Sequence, residues 1–362
     1  MRIGVNALYL IPGGVGGTEI YLRNLLQALA RVDQTNEYFV FTNRETGPDL
    51  VPIASNFHHA PQPLNAKFRP TRLLYEQFQL PFAAKQLAID VLFNPGFTAP
   101  AFQSCPNVTV FHDLQHKRHP EHFRWFDLPF WELVLSIAIR NSEIIVAVSA
   151  ATSRDLQKYY GLPESRIRVV HHGVEDEFLE IATQRGETDP YLLCVSTLHP
   201  HKNLERLVSV FSRFRASHPE FRLVLAGMRG FHSSAVERKI AELKLESAVT
   251  ITGWIPREEL HGLFLRARAF VYPSTFEGFG MPVLEAMAAE VPLACSNIAP
   301  LEEIAAGYAE LFAPDDEAGM LEALENVIVS RARGQNRAAQ LTWERAAGKT
   351  LAALEEAAAT NR

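Results

Sequence analysis

A chain of 362 residues exceeds what a single hydrophobic core usually organises, so its length predicts two domains of roughly 150–200 residues each. Hydrophobic residues make up 47% of the chain and charged residues 21%, which is the composition of an ordinary globular protein and excludes a disordered or fibrous one. The formal net charge of -6 at pH 7 argues against a protein whose main partner is nucleic acid.

The first half of the chain alternates short β-rich runs with helical ones, the pattern of an α/β fold whose parallel sheets are covered by helices on both faces. A helix is predicted from about Thr18 to Arg31, because its leucines form one apolar stripe. The strand candidates are mostly continuous apolar runs, as expected for strands buried on both faces. They are MRIGVNAL, EYFVFTN, DVLFN, NVTVFHD, EIIVAVS and IRVVHHGV.

The second half restarts this alternation and predicts a second doubly wound unit. Helical stretches such as NLERLVSVFSRFRASH and MPVLEAMAAE separate the strand candidates YLLCVST, FRLVLAG, AVTITGWI, AFVYPST and PLACSN. The polar segment Glu175–Pro190 lacks sustained apolar periodicity, so we place the linker between the domains there. From Ala338 onward, strong helix formers predict one or two helices.

The three cysteines indicate neither a metal site nor a disulfide framework. Cys105, Cys194 and Cys295 each lie in or beside an apolar run, which fits a reducing compartment. The first residues lack the charged start and long apolar stretch of a secretion signal, and no segment reaches the roughly 20 apolar residues that cross a bilayer. The sequence therefore predicts a cytoplasmic location.

The segment GGVGGTE, residues 13–19, lies between a predicted strand and a predicted helix. Its glycines allow close approach of a ligand to the backbone, and the helix N-terminus suits a phosphate. A plain strand-to-helix turn is the alternative interpretation. A dinucleotide fingerprint starting at Gly14 would need a third glycine where Glu19 stands, and EYFVFTN ends without an acid for a ribose, so that function is disfavoured.

The segment FEGFGMPVLEAM places two acids on either side of a loop-to-helix junction. Seven residues separate Glu277, which precedes the helix, from Glu285 within it. Carboxylates accept hydrogen bonds from sugar hydroxyls, and an anion fits the backbone amides near Gly278, Phe279 and Gly280. An acid that merely complements the helix dipole would explain Glu285 but not these glycines.

Two further polar groups follow predicted strands. Lys202 in STLHPHKN opens a helix, where its cation can neutralise the charge of a departing diphosphate, although an exposed helix-start lysine is the simpler interpretation. His112 ends the buried strand of VTVFHD, at the edge where open α/β sheets bind ligands. With thirteen histidines in the chain, its position rather than its residue type makes it a candidate for polar contact or proton chemistry.

Taken together in chain order, eight segments resemble the family 4 retaining glycosyltransferases of GT-B fold, closest to bacterial mannosyltransferases. These segments are GGVGGTE, FHD, VSAATSRDL, HHGVE, STLHPHKN, LVLAG, GWIPREEL and FEGFGMPVLEAMAAEVP. The resemblance implies two Rossmann-like domains facing a cleft. Residues 1–175 would bind the acceptor, residues 190–340 would bind the nucleotide-sugar donor, and a helix at about 341–362 would cross back to the first domain.

The resemblance also assigns roles to residues of this chain. The catalytic set would be His112 at the transferred sugar, Lys202 at the diphosphate and Glu277 at the donor sugar. The remaining donor-binding residues would be Gly16, Gly17, His201, Ile255, Gly278, Phe279, Gly280 and Glu285, with Glu285 at the ribose and the backbone of Ile255 beside the base. Such enzymes retain anomeric configuration by same-face attack, so no protein nucleophile is required.

One departure from the family concerns the partner of Lys202. Relatives often carry an arginine directly before the lysine or five residues earlier, where this chain has His201 and Thr197. His201 or an arginine such as Arg229 would then replace it. The chain contains no Asp-x-Asp, so the resemblance implies a site that uses neither a metal nor a cofactor.

The segments STLHPHKN and LAGMRG look most like those of mannosyltransferases in bacterial polysaccharide and lipopolysaccharide assembly, which makes GDP-mannose the expected donor and a lipid-linked saccharide the expected acceptor. Residues His116–Phe126 mix cations with aromatics, as a membrane-surface patch at the inner face would, although a solvated loop is the alternative. A UDP-sugar transferase, an epimerase and a noncatalytic nucleotide-sugar-binding protein remain alternative functions.

Overall fold

The computed structural model describes residues 1–14, 16–102, 105–230 and 232–360. The chain divides into two α/β units, and each is described by itself. The first comprises Met1–Gly173 together with Trp343–Arg362, and the second comprises Val174–Thr342. The sequence places the first boundary at 175–190, whereas the structure divides the chain directly after Gly173.

The described part of the first unit contains a parallel sheet of seven strands. These are β1 (Arg2–Asn6), β2 (Glu37–Thr42), β3 (Phe57–Pro61), β4 (Val91–Asn94), β5 (Asn107–Phe111), β6 (Ile144–Ala147) and β7 (Ile167–Val169). Their order across the sheet is β3-β2-β1-β4-β5-β6-β7. The edge strand β3 escapes prediction because its sequence, FHHAP, is only partly buried and has no continuous apolar run.

Helices of the first unit connect these strands. The first five are α1 (Gly17–Val32), α2 (Arg69–Gln86), α3 (Gln115–Arg118), α4 (Leu128–Arg140) and α5 (Ala150–Tyr160). α1 is the helix predicted near residues 18–31, and its leucine stripe is buried, as the apolar spacing requires.

The described part of the second unit contains a parallel sheet of six strands in the order β10-β9-β8-β11-β12-β13. These are β8 (Asp189–Val195), β9 (Arg222–Ala226), β10 (Val249–Gly253), β11 (Ala267–Tyr272), β12 (Leu293–Ser296) and β13 (Glu310–Phe312). β13 is not among the predicted strands because its three residues, ELF, contain a glutamate and an exposed leucine and so give no continuous apolar run. The helices are α6 (Asp176–Gln184), α7 (Leu204–Ser217), α8 (Ser233–Glu242), α9 (Arg257–Arg266), α10 (Met281–Ala288), α11 (Ala299–Ala305), α12 (Glu317–Val327) and α13 (Gln335–Ala338).

The segment predicted as a linker is instead folded into the second unit. It contains α6 and the start of β8. α6 buries Phe178 and Ile181, which lie three residues apart and therefore share one face of the helix. Two apolar anchors in a short polar helix are too few to produce the sustained periodicity that the sequence analysis requires of a helix.

The last helix, α14 (Trp343–Ala359), returns the chain to the first unit, where it packs against α1. Its apolar face buries Trp343, Ala347 and Leu354. Arg31 near the end of α1 forms an ion pair with Glu344 at 2.5 Å, and Arg168 pairs with Glu356. The helical segment predicted after Ala338 thus consists largely of α14.

Candidate active site

The candidate site of the second unit lies at the carboxyl ends of β8 and β11, which are neighbours in the sheet. After β8, a 3-10 turn, Pro200–Lys202, brings Lys202 to the start of α7. β11 ends at Tyr272, five residues before Glu277. The strand order changes direction between β8 and β11, so this edge is the topological switch point at which α/β sheets bind ligands.

Lys202, Tyr272 and Glu277 form the centre of this site. Lys202 Nζ donates to Glu277 Oε1 at 2.5 Å and to the Tyr272 hydroxyl at 3.0 Å. The side chains of Lys202 and Glu277 are only 14% and 12% exposed, so water screens their ion pair weakly. Burial raises the pKa of Tyr272 well above its ordinary value, and Glu277 adds to this rise, so the phenol keeps its proton. The structure thus brings together two residues that the sequence predicts separately.

Tyr272 is a site residue that the sequence does not reveal. In AFVYPST it ends an apolar strand and has the pattern of a core residue. Its side chain is fully buried, and its ring lies 5.4 Å from Lys202 Nζ. The available signal is that a tyrosine at the carboxyl end of a buried strand needs a polar partner for its hydroxyl.

For the nucleotide-sugar transfer that the resemblance implies, replacing Tyr272 by phenylalanine is expected to lower the rate of donor turnover about 10–10²-fold, because a hydrogen bond to a charged group contributes about 1.5–3 kcal/mol. The matched control is Tyr191→Phe in β8, whose hydroxyl donates to the Leu263 carbonyl at 2.6 Å. Both variants lose one buried hydrogen bond, but only Tyr272→Phe loosens Lys202. Steady-state kinetics with a nucleotide sugar measures the difference, and equal rates in the two variants would contradict this role.

The turn that carries Lys202 is tied to the loop after β11. The carbonyl of His201 accepts from the amide of Thr275 at 2.8 Å, and Ser274 Oγ lies 3.0 Å from the same oxygen. Asn203, in the left-handed region at φ 56°, donates through Nδ2 to the Pro273 carbonyl at 3.2 Å. These bonds fix the position of Lys202 before any ligand binds, and they use His201 through its backbone.

Glu285 in α10 lies in a second charged cluster of the same unit. The Arg257 guanidinium contacts Glu285 Oε1 at 3.1 Å and Glu175 at 2.6 Å, and it lies 5.0 Å above the Phe178 ring. Burial raises the pKa of Glu285, and Arg257 partly offsets that rise. Glu285 is therefore held by a cation that the sequence analysis does not predict, although Arg257 stands two residues after Ile255.

The glycines around Phe279 shape the start of α10. Gly280, at φ 112°, directly precedes the helix, and a Cβ there would lie 2.4 Å from the Leu301 side chain. Both the backbone angle and the close contact therefore require glycine. Phe279 is 4% exposed, so its side chain belongs to the core. Gly278 and Phe279 thus bring the backbone, rather than a side chain, to the helix terminus beside Glu277.

Ile255 and Arg229 occupy the two loops that the resemblance links to the donor. Ile255 lies half-buried between β10 and α9, where its backbone is positioned just before Arg257. Arg229 is exposed and forms an ion pair with Glu237 of α8. The arginine that contacts a predicted site residue is Arg257 rather than Arg229. Its partner is Glu285, not Lys202.

In the first unit, the glycine loop leads into α1. Gly16, at φ 61°, caps the helix and Gly17 is its first residue, whereas Val15 lies outside the described residues. The Gly13 amide donates to Glu19 Oε2 at 2.8 Å, and Glu19 also pairs with Arg23 at 2.9 Å. A carboxylate therefore lies against the loop where the sequence predicts a phosphate.

His112 is buried at the carboxyl end of β5. Its Nε2 lies 2.9 Å from the Pro95 carbonyl, which can only accept, so Nε2 carries the proton and Nδ1 is the acceptor. Burial lowers the pKa of His112 to about 4. The ring is therefore neutral near pH 7, with Nδ1 as a hydrogen-bond acceptor, and its low pKa disfavours a role as a general acid.

Acid is expected to destabilise the first unit through its buried histidines. Burial lowers the pKa of His112 and of His116 to about 4 each, from an unfolded value of 6.5. The unfolded chain binds more protons between these values, so stability is full above pH 6.5 and falls as the pH drops toward 4. His112 alone should contribute about 3 kcal/mol to this loss. Urea denaturation across that window should show a shallower loss in His112→Asn, and an unchanged slope would contradict the assignment.

Within the described residues, a group of side chains able to hold a metal ion is formed by His119, Glu121 and His122, and it contains none of the predicted site residues. Over the same ranges, every helix is too short or too polar to span a bilayer.

The two doubly wound parallel-sheet units are those of the GT-B fold. Solved structures of this fold match along the whole chain. The sucrose-phosphate synthase of Thermosynechococcus elongatus has a TM-score of 0.71 at 18% identity and covers 100% of this chain and 97% of its own. Anabaena Alr3699/HepE in complex with UDP and glucose has a TM-score of 0.68 at 18% identity, over 98% of this chain and 95% of its own.

Family models identify the group more closely. The model "Glycosyltransferase Family 4" matches residues 15–178, and "Glycosyl transferases group 1" matches residues 176–341. Together the two models span residues 15–341, and the chain belongs to the family 4 glycosyltransferases that they describe.

Curated relatives are similar at lower coverage. O-antigen chain mannosyltransferase B of Escherichia coli is 28% identical over 68% of this chain and 70% of its own length. O-antigen chain mannosyltransferase RfbU of Salmonella typhimurium is 27% identical over 61% and 60%. Glycogen synthase of Mycobacterium tuberculosis is 29% identical over 68% and 60%. The chain thus aligns with about three fifths of the last two.

Proposed function

We propose that this chain transfers a mannosyl group from GDP-mannose, with retention of configuration, to a glycan or lipid-linked saccharide in cell-surface polysaccharide synthesis. The observation that carries the reaction type is the shielded pair of Lys202 and Glu277 at the switch point of the second sheet. The choice of mannose rests on relatives named as O-antigen chain mannosyltransferases. The words "O-antigen chain" in these names support a cell-surface polysaccharide as the acceptor class.

In the proposed reaction, Glu277 exchanges its bond to Lys202 for hydroxyls of the donor sugar. The ammonium of Lys202 then loses its counter-charge and can stabilise the departing diphosphate. Backbone amides at the start of α10, near Gly278, Phe279 and Gly280, supply further partial positive charge within the same unit. The leaving phosphate accepts the acceptor's proton, so the reaction needs no protein nucleophile.

Charge balance makes metal dependence a sharp test of this mechanism. Lys202 and Arg257 supply two positive charges, against three carboxylates at Glu175, Glu277 and Glu285. While Glu277 pairs with Lys202, both of these cations are already paired with carboxylates. We propose that the exchange and the N-terminus of α10 suffice without metal, and a chelator should then leave donor turnover unchanged.

The deciding experiment incubates the chain with GDP-mannose, UDP-glucose and UDP-N-acetylglucosamine, each with a chelator or with magnesium. Release of GDP from GDP-mannose, faster than release of UDP from either other donor, supports the proposal. Preference for a UDP-sugar would replace the donor, and a changed sugar still attached to UDP would indicate an epimerase. Tight binding without turnover would indicate a noncatalytic binding protein. NMR of the first product formed determines whether the configuration is retained.

We further propose that the chain works in the cytoplasm, at the inner face of the membrane. Cys105, Cys194 and Cys295 are free and buried, and burial raises the pKa of each thiol. Thiols in this state suit a reducing compartment, where unpaired cysteines persist.

A further inference from the structure

The exposed apolar side chains of this chain concentrate in one stretch of the first unit. Of the fifteen large hydrophobic side chains that are exposed among the described residues, nine lie between Phe68 and Leu133. Seven of these nine are aromatic. Exposed apolar residues scattered singly need no explanation, but such a concentration marks an interaction surface.

Helix α2 carries the central part of this surface. Leu74, Phe78 and Phe82 are 60%, 64% and 59% exposed, and their spacing of four residues places them in one row along the helix. The opposite face of α2 buries Leu73, Leu80 and other residues in the core of the unit. The helix is therefore apolar on the face that packs and also on the face that does not.

Helix α4 and its leading loop continue the surface. Trp125 is 84% exposed and packs edge-to-face against Phe126, while Phe130 and Leu133 follow on the helix. The link to α2 is Arg69, whose guanidinium lies 4.6 Å from the Trp131 ring. We call the residues Phe68, Leu74, Phe78, Phe82, Trp125, Phe126, Phe130 and Leu133 the α2–α4 surface.

The exposed charges on the α2 part of the α2–α4 surface are positive, although the whole chain is acidic. The exposed charged residues of α2 are Arg69 and Lys85, and its acid, Glu76, is buried against Thr98. Lys67 precedes the helix and is also exposed. Against a formal net charge of -6 for the chain, this local excess of cations complements an anionic partner.

The segment His116–Phe126, in which the sequence suggests a membrane patch, contributes less than its composition implies. Lys117 pairs with Glu132 at 2.7 Å and Arg118 pairs with Asp155 at 2.6 Å. His116 is buried against Tyr160. Only the aromatic end of the segment therefore belongs to the α2–α4 surface.

We propose that the α2–α4 surface inserts its aromatic side chains into the interface of an anionic lipid bilayer while Lys67, Arg69 and Lys85 contact the headgroups. An apolar row flanked by cations is the arrangement that binds a helix in the plane of a membrane surface. Binding itself is independent of sugar transfer. Its use, which is access to a lipid-linked acceptor, rests on the proposed function.

Co-sedimentation of the full chain with vesicles tests this proposal. Vesicles of equal parts phosphatidylcholine and phosphatidylglycerol should bind the protein, and vesicles of phosphatidylcholine alone should bind it weakly. The double variant Phe78→Ser with Phe82→Ser should reduce binding by about tenfold or more. Lys67→Glu with Lys85→Glu should reduce it by at least about fivefold for each cation. All four positions are exposed, so the variants should fold.

Two matched controls complete the experiment. Ile53→Ser removes an exposed apolar side chain of the same unit outside the surface, and Lys158→Glu with Lys349→Glu reverses two cations on α5 and α14. Both should bind anionic vesicles as the wild type does. Binding that survives in the phenylalanine variant, or is lost equally in the controls, overturns the proposal. If the wild type self-associates but does not bind vesicles, and Phe78→Ser with Phe82→Ser abolishes the self-association, then a second copy of the chain covers this surface. That result would also overturn the proposal. Donor turnover measured without lipid should be the same in the wild type and in Phe78→Ser with Phe82→Ser. A loss of membrane binding can then be told apart from a failure of the proposed transferase function.

Discussion

Replacing Lys202 by methionine is expected to lower the turnover of the nucleotide sugar about 10²–10³-fold, because one preorganised donor at the developing charge contributes that much. Methionine keeps the length of the apolar stem, so the packing beside Tyr272 is largely preserved. Lys202→Arg should give an intermediate rate, since its planar guanidinium cannot reproduce contacts at 2.5 Å to Glu277 and 3.0 Å to Tyr272 with the same geometry.

Nucleotide release under saturating donor measures this effect. Lys239→Met is the matched control, because Lys239 pairs with Glu242 on the exposed face of α8. Near-UV circular dichroism of each variant verifies the fold. Turnover of Lys202→Met close to that of the control would remove Lys202 from the mechanism.

Replacing Arg257 by alanine is expected to lower the free energy of unfolding by about 2–4 kcal/mol, because it leaves the largely buried Glu175 and Glu285 without their cation. The side chain of Arg257 is 32% exposed, which places the expected loss toward the lower end of that range. Arg257→Lys should lose less than half as much stability as Arg257→Ala, since lysine keeps the positive charge.

The pH dependence of the Arg257→Ala variant separates this cause from a packing defect. Burial already raises the pKa of Glu285, and without Arg257 that pKa rises further. The folded state then binds a proton more tightly than the unfolded state, so the deficit shrinks as the pH falls through the folded pKa. Urea denaturation at neutral and mildly acidic pH measures it, and a deficit that is constant with pH would indicate lost packing alone. The affinity for the free nucleotide, measured in parallel, tests the expected contact of Glu285 with a ribose.

The sequence predicts the α/β class, most strands and the neighbourhood of the main charged pair. Lys202 and Glu277 can be found because each follows a strand, and the carboxyl ends of adjacent parallel strands meet at one edge. The strands β3 and β13 are short or partly exposed, so they lack the continuous apolar run that identifies a buried strand. Helix α6 is not predicted for a related reason, because two buried apolar residues do not make a periodic pattern.

The unpredicted site residues are those whose role depends on a distant partner. Tyr272 resembles a core residue until Lys202 is seen beside its hydroxyl. Arg257 and Glu175 are 82 positions apart, and no local spacing reports that they meet. The tautomer of His112 likewise depends on the Pro95 carbonyl, 17 positions earlier, which the segment VTVFHD does not report.

The return of α14 to the first unit has a consequence for how the chain is made. Trp343 packs edge-to-face with Tyr21, 322 positions earlier, and Leu354 is fully buried. During synthesis we therefore expect one apolar flank of the amino-terminal sheet to stay uncovered until α14 has been made. The segment Val174–Thr342 is continuous and is complete on emerging, so we expect the later-synthesised unit to reach its native state first.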